Sequence, residues 1–186
     1  MIITLIGYRG TGKTTIARPL AERLGWSAID ADVELERRAG RSIREIFASD
    51  GEPEFRRRER ETLCDLLQQD RLVIAAGGGA ILNPQTRTDF RAAGPVVWLK
   101  ASVDTIEYRL HGDASTRERR PNLTSSGGRA EIEQMLAFRE PLYRECATLI
   151  VETDRPLPGD CDAPTVARLV DFIIEQLGLT NQQEAT

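Results

Sequence analysis

The chain has 186 residues, 40% hydrophobic and 29% charged, with a formal net charge of −4. That composition describes a single globular domain with chain enough for a proper core, and it excludes disordered and membrane-embedded classes. The acidic balance argues against broad nucleic-acid binding, which leaves a basic footprint. Cys64, Cys146 and Cys161 form no C-x-x-C pair, so no disulfide frame or zinc site is spelled out and reduced thiols in the cytoplasm are expected. No basic leader and no long apolar segment is present, so neither secretion nor a membrane partner is expected. Of the 25 basic residues only Lys13 and Lys100 are lysines, so each arginine needs its own argument.

Taken in order, the apolar run Ile2-Ile3-Thr4-Leu5-Ile6 leads into Gly7-Tyr8-Arg9-Gly10-Thr11-Gly12-Lys13-Thr14-Thr15. Ile16, Ala17, Leu20, Ala21 and Leu24 then repeat at helical spacing. Strand, glycine loop and helix form the setting in which G-x-x-x-x-G-K-T is a phosphate cradle. The glycines let backbone N–H groups turn inward, and the helix start adds its positive dipole end. Lys13 reaches the β- and γ-phosphates, and the Thr14 hydroxyl is placed to ligate Mg²⁺.

The first helix spans 13–24, with Pro19 expected to bend or loosen it. A short strand at 27–30 is followed by a helix at 33–39 that stops at Gly40. Ser42-Ile43-Arg44-Glu45 fits a capping box, and a longer helix follows at 52–69. The run at 72–76 reads as a strand covered on both faces, ending in Gly77, Gly78 and Gly79. A helix at 84–93, a strand at 96–99 and a helix at 102–111 continue the alternation. Residues 111–128 form a long polar loop, of a length that is usually functional or disordered. A helix at 129–146, a strand at 148–151, a Pro/Gly turn region and a last helix from near Pro164 complete a single domain over 1–178. The tail, 179–186, is expected to fray. This order implies a parallel sheet with helices on both faces and ligands at the carboxyl ends of the strands.

Those ends gather distinct chemistries. Asp30 and Asp32 follow the second strand: one carboxylate near Mg²⁺ can hold a metal water, and another can accept a proton from an attacking hydroxyl. The alternative for Asp32 is a helix N-cap before Val33. The three glycines can offer only backbone, letting a ligand approach closely or simply making a tight turn. Ala75-Ala76-Gly77 supplies no Walker-B carboxylate, which disfavours a hydrolytic ATPase, and no N-K-x-D motif supports a guanine switch. Phe55, Glu59 and Leu63 are spaced by four, which puts Glu59 on an apolar face with Arg56 within reach. Arg139 interrupts the core-facing stripe Ile132, Met135, Leu136. A guanidinium at either position needs a protein carboxylate or an anionic ligand. Arg57, Arg58 and Arg60 read as a solvated face. Arg117-Glu118-Arg119-Arg120 lies in the long loop, either as a lid over the phosphates or as an ordinary charged surface.

Together G-Y-R-G-T-G-K-T at 7–14, D-A-D at 30–32, G-R-S-I-R-E-I-F at 40–47 and G-E-P-E-F-R-R-R-E at 51–59 form an ordered set. With A-A-G-G-G-A at 75–80, R-R-P at 119–121 and F-R-E-P-L-Y at 138–143, the chain resembles the shikimate kinases over nearly its whole length. The resemblance implies a three-layer αβα P-loop kinase fold, with a five-stranded parallel sheet in order 2-3-1-4-5 and a mobile lid near 111–128. It implies transfer of the ATP γ-phosphoryl group to the 3-hydroxyl of shikimate, in a monomer that binds no nucleic acid. By the same resemblance Gly10, Thr11, Gly12, Lys13, Thr14 and Thr15 hold ATP, with Arg120 on the phosphates and Arg109 and Arg155 flanking the adenine. Thr14 ligates Mg²⁺ directly and Asp30 through water. Asp32 binds the shikimate hydroxyls as base or orienting group, Arg56 (braced by Glu59) and Arg139 hold the carboxylate, and Gly77, Gly78 and Gly79 complete the pocket. The nearest rival is a different small-molecule kinase of the same fold, such as a gluconate kinase; an uncharged or phosphorylated acceptor would not require the paired Arg56 and Arg139.

Overall fold

The computed structural model describes residues 1–112 and 128–179. The expected lid arginines Arg117, Arg119 and Arg120, and the tail beyond residue 179, lie outside the described residues. Strands β1 (Ile2–Ile6), β2 (Ser27–Asp30), β3 (Leu72–Ala75), β4 (Val96–Lys100) and β5 (Leu149–Glu152) form one parallel sheet in the order β2-β3-β1-β4-β5. This is the order that the resemblance implies. Thr4 at the centre pairs with Ile74 on one side and Val96 on the other. The helices are α1 (Lys13–Leu24), α2 (Ala31–Ala39), α3 (Ile43–Leu66), α4 (Pro84–Ala93), α5 (Val103–Gly112), α6 (Gly128–Cys146) and α7 (Val166–Gln176).

Strand side chains alternate between faces, so each all-apolar strand feeds two cores. Ile2, Ile6, Leu72, Ile74, Val96 and Trp98 pack with Leu63, Phe90 and Tyr143, from α3, α4 and α6. Ile3, Leu5, Val73, Val97, Leu99 and Val151 pack on the opposite face with Ile16 and Leu20 of α1 and Leu169 and Ile173 of α7. A smaller cluster of Tyr8, Ala101, Ile106 and Ile132 seats the glycine loop against α5 and α6.

Several boundaries differ from the expected ones for local reasons. Helix α2 starts two residues early because Asp30, not Asp32, is its cap: the Asp30 carboxylate accepts from the N–H groups of Asp32 and Val33. The Ser42 capping box is present and opens α3, which runs through to Leu66 with one break at Gly51 (φ 81°, ψ 175°). The positive φ of the break is cheap only for glycine, and Pro53 then falls in the first turn of the second segment, where its missing N–H costs little. Helix α1, in contrast, runs unbroken through Pro19, and α6 through Pro141. A 3-10 turn at Ala80–Leu82 follows the glycines, too short and too apolar to announce itself in the sequence. Helix α7 begins at Val166 under a Thr165 cap instead of at Pro164. Arg57 and Arg58 pair with Glu54 on the outer face of α3 as expected, but Arg60 is partly buried and bridges to Asp89 of α4. No helix among the described residues is long and apolar enough to cross a membrane.

Candidate active site

The carboxyl ends of the strands open onto a cleft of about 680 Å³, whose wall includes the loop from Arg9 to Thr15, Asp30, Asp32, Gly78, Arg109 and Thr153. The loop is shaped by backbone that only glycine supplies cheaply. Gly7 has φ 140°, and a Cβ there would lie 2.3 Å from the Leu99 carbonyl oxygen. Gly12 caps α1 at φ 93° with no side-chain cap bond and no acidic residue in the first turn. The first N–H groups of α1 therefore keep their donors and dipole end for an anion. Lys13 Nζ donates to the carbonyl oxygens of Gly7 and Tyr8, at 2.8 Å each, and so arches over the loop it serves.

Thr14 Oγ1 donates to Asp30 Oδ2 at 2.6 Å, while Asp30 Oδ1 accepts from the Asp32 N–H at 3.0 Å. One carboxylate oxygen thus fixes the start of α2 and the other faces the Thr14 hydroxyl. Two hard oxygen donors side by side at the end of a phosphate loop fit Mg²⁺. Asp32 sits in the first turn of α2 and lines the cleft, while the capping of α2 is done by Asp30.

The acceptor side draws on three elements. Arg56 donates to Glu59 Oε2 at 2.7 Å and to Glu52 at 3.1 Å. Burial works against its charge, but the carboxylates of Glu59 and Glu52 outweigh that and raise its pKa. Glu59 is buried, as its place on the apolar face requires. Gly79 leaves room for this guanidinium: a Cβ there would fall 2.6 Å from Arg56 Nη1. Arg56 and Gly79 line a small cavity of about 30 Å³ beside the main cleft. Arg139 is only 5% exposed; it donates to the Gly78 carbonyl oxygen at 3.3 Å, and its buried Nε has no hydrogen-bond partner among the described residues. Tyr143 holds the same carbonyl by an O–H bond of 2.6 Å. A buried guanidinium held by a carbonyl and keeping an unused N–H calls for an anion.

On the nucleotide side Arg109 donates to the Gly10 carbonyl at 3.2 Å and to the Thr153 hydroxyl at 3.1 Å, tying the loop to the end of β5. Pro164, Val166 and Leu169 add an apolar wall. Arg155 follows β5 at the same end of the sheet, with its side chain exposed and paired to Glu152 at 3.5 Å. Tyr143 and Glu131 are given no role by the sequence reading, and Thr153 appears there only as the residue after the fifth strand. Glu131 was open to detection, since Glu131, Met135 and Arg139 lie four apart on one ridge of α6.

The sequence profile of the shikimate kinases matches residues 9–177. The chain belongs to the shikimate kinase family. As a member it is an ATP-using P-loop kinase of the shikimate pathway. The shikimate kinase of Rhodopirellula baltica is 44% identical over 149 residues, 80% of each chain. That of Burkholderia lata is 37% identical over 95% of this chain and 90% of its own. The solved shikimate kinase from Acinetobacter baumannii in complex with shikimate superposes with a TM-score of 0.82 at 36% identity, covering 98% of this chain and 95% of its own.

Proposed function

We propose that the chain transfers the γ-phosphoryl group of ATP to the 3-hydroxyl of shikimate, releasing ADP, with its residues in the following roles. The phosphate loop from Gly10 to Thr15 holds the triphosphate by backbone N–H groups. Lys13 leaves its two carbonyl partners for the β- and γ-phosphates, where its charge matters most as the γ-phosphoryl group moves. Thr14 Oγ1 and, through water, Asp30 Oδ2 would hold Mg²⁺, which neutralises phosphate charge when bound. Asp32 accepts a hydrogen bond from the attacking hydroxyl and takes or orients its proton. The shikimate oxygen then bonds to phosphorus as the bond from phosphorus to the β,γ-bridging oxygen breaks. Arg139 and Arg56 clamp the carboxylate, with the backbone of Gly77, Gly78 and Gly79 as the floor. Arg109 and the apolar wall of α7 receive the adenine side, and Arg120 serves as lid cation on the strength of the resemblance.

The observation that carries this reading is the buried Arg139 with its unused Nε beside the Gly78 carbonyl. An uncharged acceptor would leave that group without a counterion. The working unit is taken to be a monomer. Three free thiols and an ATP requirement favour the cytoplasm. An ADP-release assay across acceptors tests the reading. Release should depend on shikimate; equal release without an acceptor would indicate an ATPase, and gluconate-dependent release would indicate the rival kinase.

A further inference from the structure

Helix α6 carries Arg139, and it meets the phosphate loop through two loop residues that the roles above leave unused. The Tyr8 ring is 1% exposed and packs in a cluster with Ile106 and Ile132, against Met135 and Leu136 of the same helix. Arg9, on the cleft wall, donates from Nη2 to Glu131, whose side chain is 0% exposed. The Tyr8 ring takes two cations: Arg9 Cζ lies 5.7 Å and Arg139 Cζ 5.9 Å from its centroid. Arg9 Nε is buried without a hydrogen-bond partner among the described residues, so the cluster relies on charge and packing as well as on its hydrogen bonds.

A fully buried carboxylate costs several kcal/mol unless paired, and a buried pair seldom adds net stability over apolar replacements. Its usual return is geometric. Here the pair joins the loop that holds the transferred group to the first turn of the helix that holds the acceptor's carboxylate. It also engages Arg9, whose guanidinium shares the Tyr8 ring with that of Arg139.

We propose that Arg9 and Glu131 form a strut that fixes α6 against the phosphate loop, and thereby sets Arg139 in register with the phosphoryl donor. Both are positioning residues, and the proposal rests on Arg139 being the carboxylate clamp. Glu131→Gln leaves Arg9 without this charge partner. The shikimate KM should rise about tenfold while the ATP KM stays within about twofold. The double variant Arg9→Met/Glu131→Gln removes the released charge as well, and should recover to about threefold above the starting KM. A strut that served stability alone would lower Tm in these variants without this split in KM.

Steady-state kinetics on Glu131→Gln, the double variant and Arg139→Ala, with thermal melts alongside, decide the matter. A shikimate KM within about twofold of the original in both folded strut variants overturns the proposal, as does an equal rise in both KM values. Should Glu131→Gln fail to fold, the double variant carries the same thresholds. If Arg139→Ala raises the shikimate KM and the strut variants do not, the strut alone is wrong. If Arg139→Ala leaves that KM unchanged, the clamp reading fails and the strut with it.

Discussion

The phosphate loop and the proposed acceptor clamp are built on opposite plans: of the clamp, Gly78 lines the cleft with the loop, whereas Arg56 and Gly79 line the smaller cavity. The loop is one continuous stretch between β1 and α1 that offers backbone N–H groups, one lysine and one threonine. The clamp is assembled from α3, the glycines after β3 and α6, and each member depends on another: Arg56 on Glu59 and Gly79, Arg139 on Gly78. A self-contained loop should fail through the chemical step when damaged. An assembled clamp should fail through binding, and by amounts that depend on how far the neighbours can adjust.

The sharpest break should come at Lys13. Lys13→Met removes the loop's mobile positive charge, and kcat in the ADP-release assay should fall about 10³-fold. A fall confined to the ATP KM would mean that the lysine serves ground-state binding only. On the other side, Arg139→Ala should raise the shikimate KM about a hundredfold, with kcat reduced much less, because a charge-assisted contact is lost in a closed pocket.

Two glycines separate clamp from scaffold. Gly79 has φ −103°, ordinary for any residue, so Gly79→Ala should fold normally and push the flexible end of Arg56 aside. The expected result is a shikimate KM raised about tenfold with an unchanged Tm. Gly94 has φ 151°, and a Cβ there would lie 2.2 Å from the Ile2 carbonyl oxygen, which is strand backbone and cannot yield. Gly94→Ala should cost about 2–4 kcal/mol in denaturant melts, with kinetics per folded molecule unchanged. The reverse pattern at the two sites would dissolve the distinction.

The smallest effect concerns thiols far from the chemistry. Burial pushes the Cys146 thiol up to about 11, against the weaker opposing pull of Arg87 and Arg91. At pH 8 about one molecule in a thousand would then carry the thiolate, and the fraction grows tenfold with each unit of rising pH. Iodoacetamide should label exposed Cys161 first and spare Cys146 while the chain is folded, as peptide mapping would show. Early labelling of Cys146 would contradict its burial.

Much of the phosphate half was legible because its information is local: the motif, the preceding apolar run and the following helical stripe all lie within residues 2–24. The sheet order, in contrast, came from the resemblance, since alternation alone fixes parallel strands without ranking them. Arg56 and Arg139 were visible as charges on apolar stripes, but not what they would meet. Gly78 was set beside them by the resemblance alone, and the Tyr143 contact enters only through the fold. That Asp30 caps α2 is not decided by the sequence, because both aspartates satisfy the local preference and only the end of β2 chooses between them.

The seat of the acceptor's carboxylate is best tested by changing the ligand and the protein together. KM should be measured for shikimate and for its uncharged methyl ester, in the unaltered chain and in Arg139→Ala. With Arg139 in place the acid should be favoured about a hundredfold, and without it the preference should shrink to within about threefold. If Arg139→Ala keeps the full preference for the acid, the carboxylate sits elsewhere and the clamp described at Gly78 is not where the acceptor binds.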